Sequence, residues 1–253
     1  MLEVKNLSVS YGQHEVVSDL SFSVHEGEWL MLIGPNGAGK STIISAVSQS
    51  EKYTGDVSFE GRDVKSMKPS ELAKLLGVLS QKHIISYSFT VGEIVRLGRY
   101  AYSPRIFSKK SDEDEISVER ALEVTGMTEL EGHYADTLSG GELQRAFLAQ
   151  LFAQNPRLLI LDEPTNHLDL VYQKQIFEIV SQWLKTPGRA VMSVVHDLSL
   201  ARRYGSRAIL LNKGKAVASG SVAEVFSREN LNSVYSMDVY DWMKTQLSQW
   251  EDE

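Results

Sequence analysis

The sequence predicts an α/β fold whose core is a mainly parallel, doubly wound sheet. Apolar runs at 29–33, 158–161 and 190–195 read as buried strands. Helical periodicity follows each run, and strands alternating with helices build a parallel sheet. The stretch from 90 to about 155 differs, with several helical periodicities and no convincing strand. It is predicted to be a helical subdomain inserted into the sheet domain.

Taken in order, residues 2–24 alternate: Leu2, Val4, Leu7 and Val9, then Val16, Val17, Leu20, Phe22 and Val24. Two or three half-buried antiparallel strands are expected there. A strand at 29–33 ends in glycine and leads into a helix over 40–47. Strands at 57–59 and 77–79 flank a helix around 70–75. In the inserted region, helices are expected over 116–124 and 143–153. The acidic cluster Asp112 to Glu115 sits before the first of these, where negative charge favours a helix N-terminus. The later part is read as a strand at 158–161, a helix through 176–184, a strand at 190–195, another helix and a strand at 208–211. No internal repeat or low-complexity segment is present.

The 253 residues are 42% hydrophobic and 23% charged, enough for a sizeable core in one large domain. Without cysteine, disulfides and thiolate zinc sites are excluded. The net charge of −7 argues against broad binding to nucleic acid or an anionic membrane surface. The N-terminal residues lack the basic-then-apolar pattern of a signal peptide. No run approaches the roughly 20 apolar residues of a spanning helix, so work at a membrane would need a partner to hold the protein there.

The strongest local signal is Gly34-Pro35-Asn36-Gly37-Ala38-Gly39-Lys40-Ser41, followed by Thr42. It matches G-x-x-x-x-G-K-[ST] in full and lies between a predicted strand and a predicted helix. Its glycines let backbone N–H groups turn towards phosphate oxygens, and the helix N-terminus adds a favourable dipole. Lys40 is expected to reach the β- and γ-phosphates, and the Ser41 hydroxyl to ligate Mg²⁺. The loop implies a bound nucleotide but suits kinases and GTPases equally.

A second motif, the apolar run at 158–161 followed by Asp162 and Glu163, delivers two carboxylates to the C-terminal edge of a strand. Doubly wound sheets bind ligands at that edge. Asp162 is expected to hold Mg²⁺ through its water shell, and Glu163 to orient and deprotonate the attacking water. His196 follows the run at 190–195 and should share this edge, in reach of the γ-phosphate.

Leu138-Ser139-Gly140-Gly141-Glu142-Leu143-Gln144-Arg145 completes the pattern. Together these motifs resemble the ABC ATPase family, whose signature begins Leu-Ser-Gly-Gly-Gln. The resemblance runs from about Leu2 to Gly220. It implies the P-loop NTPase fold of the ABC ATPase type, with an antiparallel β subdomain at the N-terminus. The catalytic core would cover about 1–86 and 156–220, the helical subdomain about 87–155, and a short C-terminal extension 221–253. Tyr11 resembles the aromatic that stacks on adenine. Gln81 resembles the glutamine that joins Mg²⁺ and water to the membrane partner. Asn166-His167-Leu168-Asp169 resembles the loop crossing the dimer interface, and His196 the switch histidine.

The family further implies ATP and Mg²⁺ as cofactors and a head-to-tail homodimer sandwiching two ATP molecules. Ser139, Gly140 and Gly141 of one subunit, with Glu142 behind them and Asp169 across the interface, would face the phosphates held by Lys40 of the other. One set of motifs without a spanning helix resembles a separately encoded importer ATPase at the cytoplasmic face of the cell membrane. A membrane permease would hold it there and connect it to a substrate-binding protein. The stretch 90–100, with Thr165 to Asp169, resembles importers of iron–siderophore, haem or cobalamin. An exporter subunit and a soluble, non-transport ABC ATPase are the alternatives.

Glu142 departs from the family pattern, which has glutamine there. Ser139 and Glu142 also satisfy the capping-box spacing, which accounts for both without a ligand. Tyr87, Phe89, Tyr100 and Tyr102 suit either a groove for a permease helix or the subdomain's own core. The aromatics Tyr235, Tyr240, Trp242 and Trp250 of the extension suit packing on the cassette or at a dimer interface.

Overall fold

Period-2 alternation in the first 24 residues produces a hairpin of two strands, β1 (Leu2–Tyr11) and β2 (His14–Val24). In this computed structural model, which describes residues 1–80, 89–102 and 111–250, Leu2 lies opposite Val24 and Val4 opposite Phe22. The apolar side chains therefore share one face. The chain continues through β3 (Trp29–Ile33), α1 (Lys40–Val47), β4 (Thr54–Phe59) and the two-residue β5 (Arg62–Asp63). Next come α2 (Pro69–Leu75), β6 (Leu76–Leu79), α3 (Val91–Leu97), α4 (Asp112–Thr125) and α5 (Gly140–Gln154). Then follow β7 (Leu158–Asp162), α6 (Leu170–Leu184), β8 (Ala190–Val194), α7 (Leu198–Tyr204) and β9 (Arg207–Asn212). The last elements are β10 (Lys215–Ser221), α8 (Val222–Val225), α9 (Arg228–Tyr235) and α10 (Val239–Ser248).

The described residues fall into two compact units. The first takes 1–24, 29–61 and the chain from Val194 onward. In it, β1 pairs antiparallel with both β2 and β4. Strands β3 and β9 run parallel, with Leu30 opposite Arg207 and Ile33 opposite Leu210, and β10 adds antiparallel to β9. All five residues of β3 are buried, and the Trp29 ring packs against Tyr204 at 5.8 Å. Burying an apolar side chain of this kind contributes about 1.5–3 kcal/mol.

The second unit takes 25–28 and 62–193. Its strands lie in the order β8, β7, β6, and β6 and β7 are parallel, Leu76 opposite Leu158. Helices α3, α4 and α5 pack on one another as the helical region the sequence predicts. Among its described residues the only pairing outside the strands is a single bridge from Thr90 to Tyr134.

The acidic cluster is placed differently from the expectation. Asp112, Glu113, Asp114 and Glu115 are the first turn of α4 itself, capped by Ser111. Two of them also do more than favour a dipole. Asp114 is buried and accepts from Arg99 Nε at 2.7 Å, while Glu115 accepts from Arg96 Nη2 at 3.1 Å.

Tyr102 lies beneath the Arg99 guanidinium, 3.8 Å from its ring centroid, and donates to Gln154 O. Phe89 and Tyr100 are exposed, and Tyr87 lies outside the described residues. In the extension, Tyr240 donates to Phe226 O at 2.5 Å and so packs back on the chain, while Trp242 and Trp250 are exposed. Among the described residues no helix is long and apolar enough to cross a membrane.

Candidate nucleotide site

The buried strand β3 delivers the phosphate loop, and the loop's conformation explains its glycines. Gly34 has φ 145, and a Cβ there would sit 2.2 Å from Leu211 O. Gly39 is the N-cap of α1 with φ 94, a left-handed conformation costly for other residues. No side chain caps α1. The helix dipole at this N-terminus favours an anionic ligand. Lys40 is buried, and its Nζ donates to Gly34 O at 2.8 Å and Pro35 O at 2.9 Å. These bonds hold the ammonium against the loop. Asn36, Gly37 and Ser41 are exposed, and Pro35 and Thr42 half-buried, while Ala38 is packed inside.

Tyr11, at the end of β1, is 49% exposed. Partial burial raises the pKa of its phenol, as does the Glu51 carboxylate beside it, while a hydrogen bond with Thr42 pulls the other way. Tyr11 therefore stands beside the first turn of α1 with an open ring. His196 is exposed just past β8. Val195 donates to Leu32 O at 3.4 Å, which puts His196 at the same strand edge as the phosphate loop. Asp197 caps α7 by accepting from Ser199 N at 2.7 Å and Leu200 N at 3.1 Å, fixing the backbone that carries His196.

One contact of the loop had no signal in the sequence. Tyr235, the last residue of α9, accepts a hydrogen bond from the Gly34 N–H, and burial raises its phenol's pKa.

In the second unit, Asp162 ends β7 and is buried. Glu163 follows with φ 52, a left-handed conformation uncommon outside glycine. Its Oε2 accepts from Asn166 Nδ2 at 3.0 Å, and its carbonyl accepts from Asn166 N at 3.1 Å. Gln144 Nε2 donates to Pro164 O at 2.9 Å, tying α5 to the same turn.

Ser139 and Glu142 form the capping box their spacing predicts. Ser139 N donates to Glu142 Oε2 at 2.8 Å, and Glu142 N donates to Ser139 Oγ at 3.3 Å. Bonds from the Ser139 hydroxyl and the Ser139 N–H to Oε2 hold the Glu142 carboxyl below the usual carboxylate range. Gly140 is exposed and Gly141 buried. A Cβ on Gly141 would meet the Tyr172 ring at 2.4 Å. Asp169 caps α6 by accepting from Tyr172 N at 3.0 Å. Ser139, Gly141, Gln144, Glu163, Asn166 and Asp169 thus belong to one continuous bonded and packed assembly. Gln81 lies outside the described residues.

Among the described residues no three His, Cys, Asp or Glu side chains cluster as a metal site.

A phosphate loop at the C-terminal edge of a parallel sheet defines a nucleotide-binding protein. Residues 17–166 match the family described as ABC transporter. The ferric enterobactin transport ATP-binding protein FepC of Escherichia coli (strain K12) is 35% identical over 93% of this chain and 87% of its own length. The uncharacterized ABC transporter ATP-binding protein YvrA of Bacillus subtilis (strain 168) is 36% identical over 94% of this chain, which spans 54% of that relative. A solved dimeric ATP-binding cassette, bound to ADP and Pi in a post-hydrolysis state, overlays with a TM-score of 0.75 at 26% identity. The overlay covers 88% of this chain and 99% of that one. The chain belongs to the ABC transporter family and is an ATP-binding, ATP-hydrolysing cassette of it.

Proposed function

We propose that this cassette drives import of an iron–siderophore, haem or cobalamin, as the motor subunit bound to a membrane permease at the cytoplasmic face. The likeness to the ferric enterobactin relative supports the cargo class. The likeness to a cassette solved as a dimer supports paired action. A substrate-binding protein would deliver the cargo to the permease and touch this chain only through it.

The observation that carries the mechanism is the assembly linking Glu163 to the signature: Asn166 holds the Glu163 carboxylate, and Gln144 holds the turn behind it. The α1 N-terminus and Lys40 bind the phosphates, and Tyr11 stacks on the base. Ser41, Asp162 and Gln81 would hold Mg²⁺, which would supply neutralisation of phosphate charge. Glu163 takes the proton of the attacking water, and His196 holds that water in register. Ser139, Gly140 and Gly141 of the partner copy complete the site from across the interface, beside Asp169. ATP favours closure because it binds the closed pair more tightly than the open one. The chain's domains follow the same plan, with a catalytic core of about 1–86 and 156–220 and a helical subdomain of about 87–155.

Affinity purification of the tagged chain from detergent-solubilised membranes of its host tests this reading. A stoichiometric polytopic permease, encoded beside a binding protein for ferric chelates, is the expected result. A permease without any such binding protein would favour an exporter, and recovery of soluble partners alone would remove transport.

A further inference from the structure

A cavity of about 370 Å³ opens in the second unit, lined by α4, the C-terminal ends of α5 and α6, and the turn before β8. Its wall combines an apolar side, from Ala121, Val124 and Phe152, with two guanidinium groups, Arg120 and Arg189. Among the described residues no carboxylate lines it. Arg189 donates to Trp183 O at 3.1 Å, Thr186 Oγ1 at 3.1 Å and Asn155 Oδ1 at 2.8 Å, all neutral acceptors. Its guanidinium also lies 4.5 Å from the Trp183 ring centroid. Burial pulls the Arg189 pKa down.

Trp183, which is 5% exposed, adds its ring to the same wall. The charge balance favours an anion. Each helix C-terminus contributes about half a negative charge. Two guanidinium groups against the ends of α5 and α6 leave a surplus of about one positive charge.

We propose that this cavity is a binding site for a small aromatic oxyanion, a carboxylate or a phosphate ester. The Arg120 fork suits a planar or tetrahedral oxyanion, Arg189 adds a second positive charge to the wall, and the apolar side takes the ring. A volume of this size holds a small molecule. None of the residues lining it belongs to the phosphate loop. It joins the far ends of α5 and α6, the two helices whose N-caps are Ser139 and Asp169. An occupant would bridge those ends.

Isothermal titration of the full chain, saturated with MgADP so that the phosphate loop is filled, tests the proposal with benzoate, phenyl phosphate and neutral benzamide. One oxyanion per chain is expected at millimolar concentration or below, with benzamide about tenfold weaker or undetectable. The tighter of the two anions identifies the head group. Arg120 is exposed, so Arg120→Glu should fold normally, retain ADP binding and lose about tenfold or more in anion affinity. No binding of either anion, equal binding of benzamide, or an affinity unchanged by Arg120→Glu would each overturn the site.

Discussion

The Ser139 hydroxyl donates to Glu142 Oε2 at 2.7 Å, so the signature serine's proton is held by its own helix. A γ-phosphate arriving from a partner copy must compete with that carboxylate for the same proton, and must approach a negative charge to do so. With glutamine in this place, the side-chain amide can donate to Ser139 Oγ while its oxygen keeps the bond to Ser139 N. The serine proton is then released. Glu142→Gln is expected to raise the ATP-bound dimer fraction at fixed ATP, read by size-exclusion chromatography or light scattering. An unchanged or smaller dimer fraction would show that Glu142 does not restrain closure.

The same chemistry recurs at two other helices. Glu93 and Glu224 close capping boxes with Thr90 and Ser221, and bonds to those partners hold both carboxyls low, as at Glu142. A carboxylate with a depressed folded-state pKa contributes stability above its unfolded pKa. That contribution is lost as pH falls through the folded value. Stability should therefore decline as pH drops below the ordinary glutamate value of 4.5. The triple variant Glu93→Gln, Glu142→Gln, Glu224→Gln should show a shallower decline in urea midpoint over that window. Identical slopes would mean that other carboxylates govern the acid limb.

Glu163 is oriented for one task. Its left-handed backbone and the bond from Asn166 Nδ2 fix the carboxylate at the end of β7. Glu163→Gln preserves shape and the acceptor oxygen but removes the base. Turnover is expected to fall about 10²–10⁴-fold, with ATP still bound and the dimer accumulating. ATPase rate and dimer fraction measured together check this, and near-normal turnover would take Glu163 out of the role.

How much of this was legible depends on the range over which each feature is specified. The phosphate loop and β3 were readable because the strand, its glycines and α1 are contiguous, and each local preference agrees with the others. Boundaries were harder. The periodicity in α5 suggests a start at Leu143, yet the helix begins at Gly140, because its first turn is set by the Ser139 cap rather than by apolar spacing. Helix α6 begins at Leu170, ahead of the expected Ile176, since Leu170 and Val171 are exposed and carry no amphipathic signal. Strand β10 was missed because six of its seven residues lack a large apolar side chain and none is buried. Contacts between distant positions left no trace at all. The packing of Gly141 on Tyr172 and the bond from Gly34 to Tyr235 exist only once the chain has folded.

That last bond ties the C-terminal segment to the nucleotide site. Gly34 is the hinge between β3 and the phosphate loop, and no side chain could replace it without striking Leu211 O. Its N–H is satisfied by a phenol from α9, a helix held on the chain by buried Leu231 and Val234. Tyr235→Phe keeps the ring and removes the acceptor, leaving the Gly34 N–H without that partner. The stability cost should be about 1 kcal/mol, read as a lower urea midpoint at unchanged slope. Because the loop's root is loosened, the ATP KM should rise while the maximal rate changes little, since Lys40 and Glu163 are untouched. Tyr235→Leu loses the ring as well and should cost more stability without a further rise in KM. Equal KM values for the wild type and Tyr235→Phe would confine the phenol to packing, and the extension would then have no hold on the phosphate loop.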